Sequence, residues 1–421
     1  IRPTLGAELT FRAPGACLHC NQAYSVAAGD FNKDGKADLA VTDSSSSTVS
    51  IFIGDGNAGL NLGMSYSTGS SPHRVAVGDF NNDHQADLAV TLLYSNEVLI
   101  MLGKGNATFQ PGVRFAAGRY PSGVAVGDLD CDGKADIAVG NLRSNNLSIL
   151  FGNGDGTFRN PAILSVNYDP AAVAVGDLDL DGCDDLVVAG NGSLSILARK
   201  ENGAFTSKAV YPMAPAALSL AVGDFDGDGK ADVAVADGDW TIMLGNGDGT
   251  LRSPVHYSGF SAGSITVADF NGDGKADLAG ADGSYLSHQM AMLLGNGDGT
   301  FTTPRSFGTG SSPSCLLVSD MDGDGRADLV VANRNSSDVS VLLGSGDARF
   351  ESALNLPLTG NPTFLALADF NVDGLLDLAV VNAGSSNLTI FFAWGDGTFQ
   401  DPLEWETGPG TEAIAAGDFD S

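Results

Sequence analysis

Basic residues are scarce in this chain. Only 21 Lys and Arg stand against 51 Asp and Glu among 421 residues, which gives a net charge of −30. Binding to nucleic-acid phosphates or to an anionic membrane surface needs basic side chains gathered on one face, so this balance argues against both partners. No apolar run reaches the ~18 residues that span a bilayer as a helix, and no stretch has the 3.6-residue period of an amphipathic helix. We therefore expect neither membrane insertion nor a helical fold.

Cysteine is also scarce, and the five residues present, an odd number, exclude a disulfide framework. Cys17 and Cys20 form a CxxC that lacks the following His of a haem site and the second CxxC of a zinc site, so a local disulfide or plain thiols are expected. Cys131 and Cys183 lie in neighbouring repeats, and a bridge between them is an open alternative. The sequence opens at Ile1 with neither Met nor a signal segment, as expected of a mature processed chain or a piece of a longer one.

Glycine, in contrast, is abundant at 56 residues, and much of it belongs to a repeated segment. The segment Gly-Asp-Phe-Asn-x-Asp-Gly-Lys-Ala-Asp-Leu-Ala-Val returns roughly every 49 residues, a period that indicates a repeat fold. The leading aspartates are Asp30, Asp79, Asp128, Asp177, Asp224, Asp269, Asp320, Asp369 and Asp418. Each repeat contains four short runs of β-forming residues separated by Gly, Asn and Asp clusters, which predicts four strands. Four antiparallel strands are typical of one β-propeller blade.

The number of blades follows from the number of repeats. Eight acidic loops are complete and a ninth stops at Ser421. Because propellers close with four to eight blades, we predict an all-β, single-domain ring over 1–421 with eight four-stranded antiparallel blades; seven blades and a leftover repeat are the alternative. We expect an N-terminal strand at about 8–16 to complete the last blade. The C-terminal strands at about 399–421 would then be surplus, and could pair with a neighbouring subunit by strand addition.

The acidic loops carry the chemistry of the repeat. Each has Asp at position one, Asp or Asn at three, Asp at five, usually Gly at six, and Asp at nine. Calcium takes six to eight oxygen ligands, and alternate residues of a tight loop aim oxygens at one centre. We predict calcium ligands from side chains at positions one, three, five and nine and from the main-chain carbonyl at seven, in the hairpin between the first and second strands. His84 replaces the glycine of loop two, where we expect an exposed His side chain and a weaker site.

The predicted ligand sets, in chain order, are Asp30, Asn32, Asp34, Lys36 and Asp38; Asp79, Asn81, Asp83, Gln85 and Asp87; Asp128, Asp130, Asp132, Lys134 and Asp136; Asp177, Asp179, Asp181, Cys183 and Asp185; Asp224, Asp226, Asp228, Lys230 and Asp232; Asp269, Asn271, Asp273, Lys275 and Asp277; Asp320, Asp322, Asp324, Arg326 and Asp328; and Asp369, Asn371, Asp373, Leu375 and Asp377. Hairpin turns alone would explain one such loop but not eight. So many neighbouring carboxylates would repel one another unless cations neutralised them, so up to eight calcium ions are expected.

The repeat resembles a known family. The segment Gly29-Asp30-Phe31-Asn32-Lys33-Asp34-Gly35-Lys36-Ala37-Asp38 is similar to the FG-GAP or VCBS-type repeat, found in the propeller of integrin α-subunits and in many secreted bacterial proteins. The resemblance covers nearly the whole chain and implies a propeller with calcium between the first and second strands of each blade. The Gly-Ala-Pro segment of the integrin form is replaced here by Ala-Val-Thr, Ala-Val-Gly or Val-Ala-Asn, so integrin-like ligand specificity is not implied.

Catalytic motifs are lacking, since the five histidines share no pattern and none is paired with Ser or Cys in a recognisable frame. We expect a non-enzymatic binding or adhesion module, secreted or on the cell surface, that takes a glycan or protein ligand on the face opposite the calcium loops. A subunit of an extracellular filament and, by fold analogy alone, a polysaccharide lyase are the alternatives. Residues expected on the ligand face are Arg74, Tyr94, Arg119, Tyr120, Arg143, Tyr168, Trp240, Tyr285, His288 and Arg334.

Overall fold

The computed structural model describes residues 26–29, 31–33, 38–44, 46–54, 60–69, 71–166, 169–199, 205–214, 219–260, 262–282, 287–371, 373–383 and 387–406. Every regular element in these ranges is a β-strand. The same ranges contain no helix that is long and apolar enough to cross a bilayer. The strands form eight separate four-stranded antiparallel sheets. The all-β propeller prediction with eight blades is confirmed, and the seven-blade alternative is wrong.

Each blade takes its four strands from one continuous stretch of chain. Blades one to four are Val26–Gly29, Asp38–Asp43, Thr48–Gly54 and Leu60–Ser67; Pro72–Gly78, Asp87–Leu92, Glu97–Met101 and Val113–Ala116; Pro121–Gly127, Asp136–Asn141, Asn146–Leu150 and Ala162–Ser165; and Pro170–Gly176, Asp185–Gly190, Ser193–Arg199 and Phe205–Pro212. Blades five to eight are Ser219–Gly223, Asp232–Ala236, Trp240–Met243 and Val255–Tyr257; Ala262–Ala268, Asp277–Asp282, Gln289–Leu293 and Arg305–Gly308; Pro313–Ser319, Asp328–Asn333, Asp338–Leu342 and Leu354–Pro357; and Asn361–Ala368, Asp377–Ala383, Asn387–Phe391 and Leu403–Glu406.

From blade one to blade eight, the first strand of each blade contacts the first strand of the next, which places these strands at the centre of the ring. The small residue before each leading aspartate ends this strand and pairs with position nine of the loop, as Gly78 pairs with Asp87. A Cβ atom on Gly78 would lie only 2.9 Å from the Phe80 ring. Crowding by the aromatic ring of its own acidic loop therefore accounts for the glycine at position 78.

The core lies between neighbouring blades. Second and third strands have a blade on each side, so both of their faces are buried and they read as continuous apolar runs without polar alternation. The ring is closed by the same packing, because Val41 and Phe52 of blade one join the hydrophobic cluster that contains Phe370 and Phe391 of blade eight. The closed circle fixes where every acidic loop stands relative to the next blade.

Aromatic pairs link acidic loops one, two, five and six to the next blade. In these loops the ring that follows the first aspartate packs edge-to-face on the Phe that precedes the fourth strand of the following blade. The ring centroids of Phe80 and Phe158 are 5.7 Å apart, and those of Phe31 and Phe109 are 5.4 Å apart. A main-chain hydrogen bond reinforces the contact, since Gly156 N–H donates to the Phe80 carbonyl at 2.9 Å. The two positions of the repeat that carry these aromatic residues thus form a contact between successive blades.

Part of the predicted surplus segment 399–421 belongs to the ring. Leu403–Glu406 pairs with Asn387–Phe391 as the fourth strand of blade eight. The connection is the same short turn used in other blades, closed by an antiparallel bridge between Ala393 and Phe399. A local hairpin needs less loop-closure entropy than a strand brought from the far end of the chain. The predicted strand at 8–16 and residues 407–421 lie outside the described residues.

Two residues expected on the ligand face are buried. Trp240 is 1% exposed, packs on Phe260, and occupies space left by Gly280 of blade six, whose added Cβ would lie 2.6 Å from the indole. Arg74 is 6% exposed. Trp240 belongs to the core because blade five has only three residues between its second and third strands, which puts the indole in a strand. Tyr168 and Tyr285 lie outside the described residues.

Cys131 and Cys183 form a disulfide between blades three and four, so the bridge left open by the sequence is present. The two cysteines stand at position four of loop three and position seven of loop four, where their side chains are not among the predicted ligands. Cys315 is a buried free thiol. Cys17 and Cys20 are outside the described residues.

Candidate metal centres in the acidic loops

Two left-handed residues give each fully described acidic loop its tight curve. Position six is glycine in most loops, with φ of +78° at Gly133 and +79° at Gly229. Position four is also left-handed, although it carries Cys131 at +55° and Leu180 at +60°. A side chain in this conformation costs about 1 kcal/mol. The glycine of the sequence motif indicates the left-handed conformation at position six. The motif does not indicate the one at position four, because the residue type varies there.

His84 fits the glycine position of loop two. It adopts φ +57°, and its N–H donates to Asp79 Oδ2 at 2.9 Å, as the glycine N–H does in the other loops. The imidazole is 94% exposed, with Nδ1 3.8 Å from the same oxygen. The prediction that His84 is an exposed loop residue is confirmed.

Position nine fastens the loop to its own blade. Asp136 is fully buried, and its Oδ2 accepts the Leu129 N–H at 2.9 Å while Oδ1 accepts the Gly152 N–H at 2.7 Å. The same pair of acceptor contacts recurs at Asp87, Asp232, Asp277, Asp328 and Asp377. This carboxylate therefore ties the start of the loop to the end of the third strand. Sequence reasoning missed that second role.

Positions one and five organise the loop interior. Asp128 accepts the N–H of position five on Oδ1 at 3.1 Å and that of position six on Oδ2 at 2.9 Å. Asp132, at position five, accepts the Lys134 N–H on Oδ1 at 3.1 Å, while its Oδ2 forms an ion pair with the Lys134 ammonium at 2.6 Å. The position-five carboxylate thus points towards position seven.

Positions one, three and nine converge. In four loops one oxygen from each of the three carboxylates lies within 4.8 Å of the others. These triads are Asp128, Asp130 and Asp136; Asp177, Asp179 and Asp185; Asp224, Asp226 and Asp232; and Asp320, Asp322 and Asp328. Loops two, six and eight carry Asn at position three, so two carboxylates and one amide stand in the corresponding places. The structure does not bring position five into the described triads, and the carbonyl ligand at position seven stays a prediction.

Loop four shows most directly that a cation fits. Asp177 Oδ1 and Asp179 Oδ1 are buried and have no hydrogen-bond partner, and Asp130 Oδ1 in loop three is in the same situation. Asp185 Oδ1 also lacks a partner: the Arg199 N–H lies close enough to lower the pKa of Asp185 but does not reach hydrogen-bond geometry. Carboxylate oxygens removed from water without a donor are unfavourable, whereas a hard cation takes such oxygens as ligands.

Burial raises the pKa of every described position-nine carboxyl group for which a shift is resolved. The pKa rises to about 7 in Asp87, Asp136, Asp185 and Asp377 and to about 6 in Asp232, Asp277 and Asp328. Neighbouring loop carboxylates add to the rise, and main-chain N–H donors oppose it. Part of the negative charge is therefore unfavourable at neutral pH unless a positive charge enters the loop.

Basic side chains already approach several loops. Arg159 contacts Asp130 Oδ2 at 2.6 Å and Asp132 Oδ2 at 3.3 Å, and Arg252 makes the equivalent pair of contacts in blade five. Lys208 lies 3.4 Å from Asp179 Oδ2. Their guanidinium and ammonium groups hold one side of the position-three carboxylates, and in loops three and four Oδ1 of that carboxylate is left free for a cation. In loop one only Asn32 and Asp38 of the predicted ligands are described.

A family model for the FG-GAP-like repeat matches residues 30–90, 91–139, 138–188, 177–235, 224–280, 269–331 and 320–380. The chain belongs to the FG-GAP-like repeat family. Its matches span most of the sequence, and five of the seven run from one acidic loop to beyond the next. No curated protein matches this FG-GAP-like chain.

Several solved structures share the propeller fold. An Agrocybe aegerita lectin is 21% identical with a TM-score of 0.50, and the match covers 73% of this FG-GAP-like chain and 87% of the lectin. The dihydro-heme d1 dehydrogenase NirN is 14% identical with a TM-score of 0.61, over 87% and 73% of the two chains. Saccharomyces cerevisiae Sqt1 is 10% identical with a TM-score of 0.60, over 92% and 97%. At these identities the likeness shows the fold alone.

Proposed function

We propose that this FG-GAP-like chain is a calcium-stabilised, non-enzymatic binding module that works outside the cell. The observation that carries the proposal is loop four, where one oxygen from each of Asp177, Asp179 and Asp185 lies within 4.8 Å of the others and the three Oδ1 atoms are buried without hydrogen-bond partners. An all-oxygen donor set suits calcium, whereas zinc favours nitrogen and sulfur ligands. The triad carboxylates would hold the ion, and its charge would offset their repulsion and fix the loop against the next blade.

Two features support a location outside the cell. The Cys131–Cys183 disulfide is of a kind that persists in oxidising compartments. Loops with only three convergent side chains would need calcium at the high concentrations found outside cells. Localisation and the identity of the ion remain part of the proposal.

A binding role is favoured over catalysis because the described histidines do not assemble a catalytic group. His73 lies in the first strand of blade two, His256 Nδ1 lies 2.9 Å from the buried Thr241 hydroxyl, and His84 and His288 are exposed in different blades. The lectin of the same fold is described in its recognition of non-reducing terminal N-acetylglucosamine, which supports a glycan as the ligand here. The ligand surface would be the face opposite the acidic loops, formed by the turns between second and third strands and the links between blades.

Differential scanning calorimetry in calcium, magnesium and chelator tests the structural role of calcium. Because an ion that binds only the folded state stabilises it by mass action, calcium at 100 times its Kd should add about 2.7 kcal/mol per site. The double variant Asp177→Asn, Asp179→Asn should lose one site's share of that stabilisation, and Asp155→Asn, in an exposed turn, should lose none. Identical melting curves in calcium and chelator would contradict the proposal.

A glycan and matrix-protein binding array, run with calcium and with chelator, tests the binding role. Calcium-dependent retention of a glycan is the expected result. Release of new unsaturated sugar ends from any glycan on the array would instead indicate a lyase, and would overturn the non-enzymatic part of the proposal.

A further inference from the structure

An aromatic and basic cluster lies at the junction of blades two and three, on the face opposite the acidic loops. Tyr94 is 65% exposed, and its ring meets Tyr120 edge-to-face with centroids 5.8 Å apart. The Arg143 guanidinium carbon lies 4.3 Å from the centre of the Tyr120 ring. Arg119 and Arg143 are both exposed. The Tyr–Arg cluster is defined here as Tyr94, Arg119, Tyr120 and Arg143.

The backbone beneath the Tyr–Arg cluster is held from both blades. Tyr120 N–H donates to Asn96 Oδ1 of blade two at 3.1 Å, and the Tyr120 carbonyl accepts the Leu142 N–H of blade three at 3.0 Å. Arg143 N–H donates to the Arg119 carbonyl at 3.1 Å. Tyr120 is itself left-handed, with φ +63°, a conformation that is costly for an aromatic residue. The cluster is therefore a preorganised surface built on a strained residue.

An equivalent junction shows that the framework does not require these side chains. Between blades six and seven, Ser312 is left-handed at +58° and its carbonyl accepts the Arg334 N–H at 3.0 Å, while Asn335 N–H donates to Ser311 at 3.0 Å. The same backbone geometry thus carries Ser311, Ser312 and Asn335 where blades two and three carry Arg119, Tyr120 and Arg143. Folding alone does not explain the aromatic and basic residues.

Local charge indicates the sign of the ligand. The junction is formed by residues 91–97, 117–122 and 141–148. Its charged residues are Arg119, Arg143 and one acidic residue, Glu97. Glu97 is neutralised by Arg114 at 2.8 Å. The cluster is therefore a positive spot on a chain of net charge −30, and this selects an anionic partner against a repulsive background.

We infer that the Tyr–Arg cluster is a subsite for an acidic saccharide, with the exposed Tyr94 ring stacking on a sugar face and the arginines binding a carboxylate or sulfate. Aromatic rings present a rigid apolar face at low entropic cost, and guanidinium groups bind carboxylate and sulfate oxygens in a bidentate manner. The inference deepens the proposed binding function and rests on it.

Isothermal titration calorimetry of the full chain in calcium, with hyaluronan tetrasaccharide and chondroitin 4-sulfate tetrasaccharide, tests the inference. Maltotetraose is the neutral control and tetraglutamate the anionic peptide control. We expect at least one acidic tetrasaccharide to bind about tenfold more tightly than maltotetraose. Tyr94→Ala and Arg143→Ala should each weaken that binding by about tenfold or more, the size expected of interface anchor residues.

Two further variants separate binding from folding. Tyr120→Asn removes the ring but keeps a residue that tolerates left-handed φ, so it should fold and bind weakly. Asn335→Ala, at the equivalent junction, should bind like the parent chain. Equal affinity for maltotetraose, equal affinity for tetraglutamate, or no effect of Tyr94→Ala and Arg143→Ala would overturn the inference. If the inference fails in these titrations while calcium still raises the melting temperature, the proposed calcium-stabilised fold is unaffected. If calcium does not raise the melting temperature, the proposed function itself is contradicted.

Discussion

Loops with aspartate at position three carry one more carboxylate than loops with asparagine there. The two classes differ in the contacts that the position-three side chain makes. In loops three, four and five a basic side chain from the same blade contacts that aspartate, as Arg159 contacts Asp130. In loops two and eight the asparagine instead donates its amide hydrogen to position five, as Asn81 does to Asp83 at 3.0 Å. In loops three, four and five the additional carboxylate is thus accompanied by a positive charge. The two classes of loop therefore have a similar local net charge.

Loop seven breaks this rule. Among the described ion pairs, none involves Asp322, and the residue that corresponds to Arg159 in blade seven is Glu351. Burial raises the pKa of Asp322, consistent with a carboxylate short of compensating charge. Under the proposed calcium binding, we therefore expect loop seven to be the described loop that depends most on a cation from solution.

Position nine should be equally important in both classes, and this gives the largest predicted effect. Asp136→Ala and Asp87→Ala each leave two buried main-chain N–H groups without acceptors, so we expect each to lower the free energy of unfolding in chelator by about 3 kcal/mol or more. Chemical denaturation measures this, with Asp155→Ala as the exposed control. A marked difference between the two variants would mean that position nine depends on the residue at position three.

The second prediction concerns pH, and it applies to both classes. The position-nine pKa values, about 7 in Asp136 and about 6 in Asp232, exceed the ordinary 3.8, so the folded state binds more protons than the unfolded chain. Their contribution to stability is complete below pH 3.8 and is lost as pH rises through 6 to 7. We expect the melting temperature in chelator to fall between pH 5.5 and 8, and the stabilisation by calcium to grow over the same range. A chelated melting temperature that rises with pH would contradict this.

A charge exchange at position three sharpens the comparison between classes. Asp322→Asn should stabilise the chelated protein by about 1 kcal/mol, because it removes a carboxylate without a compensating base. Asn271→Asp in loop six is the matched reverse change and should destabilise by a similar amount. In saturating calcium both effects should reverse, since the carboxylate is the stronger ligand. Same-sign effects with and without calcium would show that position three does not face the ion.

The smallest predicted effect compares position five in two loops. Asp228→Ala in loop five should cost about 1 kcal/mol more in calcium than Asp83→Ala in loop two, where His84 stands in place of glycine. Thermal melting at matched calcium concentration measures the difference. Equal costs would mean that the glycine is not what distinguishes a strong loop from a weak one.

The sequence was sufficient for the ring and for the place of the loops, because a repeat of period 49 with turn residues at fixed phase admits few other folds. It did not show which oxygens converge. In an alternating loop, Asp132 is expected to join Asp130, but the Lys134 side chain and N–H draw it towards position seven. That outcome depends on side-chain ion pairs and a second left-handed residue, neither of which the motif specifies.

The burial of Trp240 depends on a residue of the next blade, so the local sequence pattern could not predict it. Trp240 reads as a surface residue beside a polar turn, and only the space opened by Gly280 in the next blade makes it a core residue. A signal was present in the repeat itself, since the other described blades have Val where blade six has Gly280. Comparison of equivalent positions across blades would have found it.

The contiguous blades also have a consequence for how such a ring can change over evolutionary time. Because every described sheet is complete within one stretch of chain, duplication or deletion of a whole repeat leaves no strand without its partners. The contacts that must be renewed are then those between blades, such as Val41 and Phe52 against Phe391. The number of blades can therefore change by gain or loss of whole repeats. Each new copy can then diverge at one junction, as at the Tyr–Arg cluster, while the rest of the ring keeps its packing.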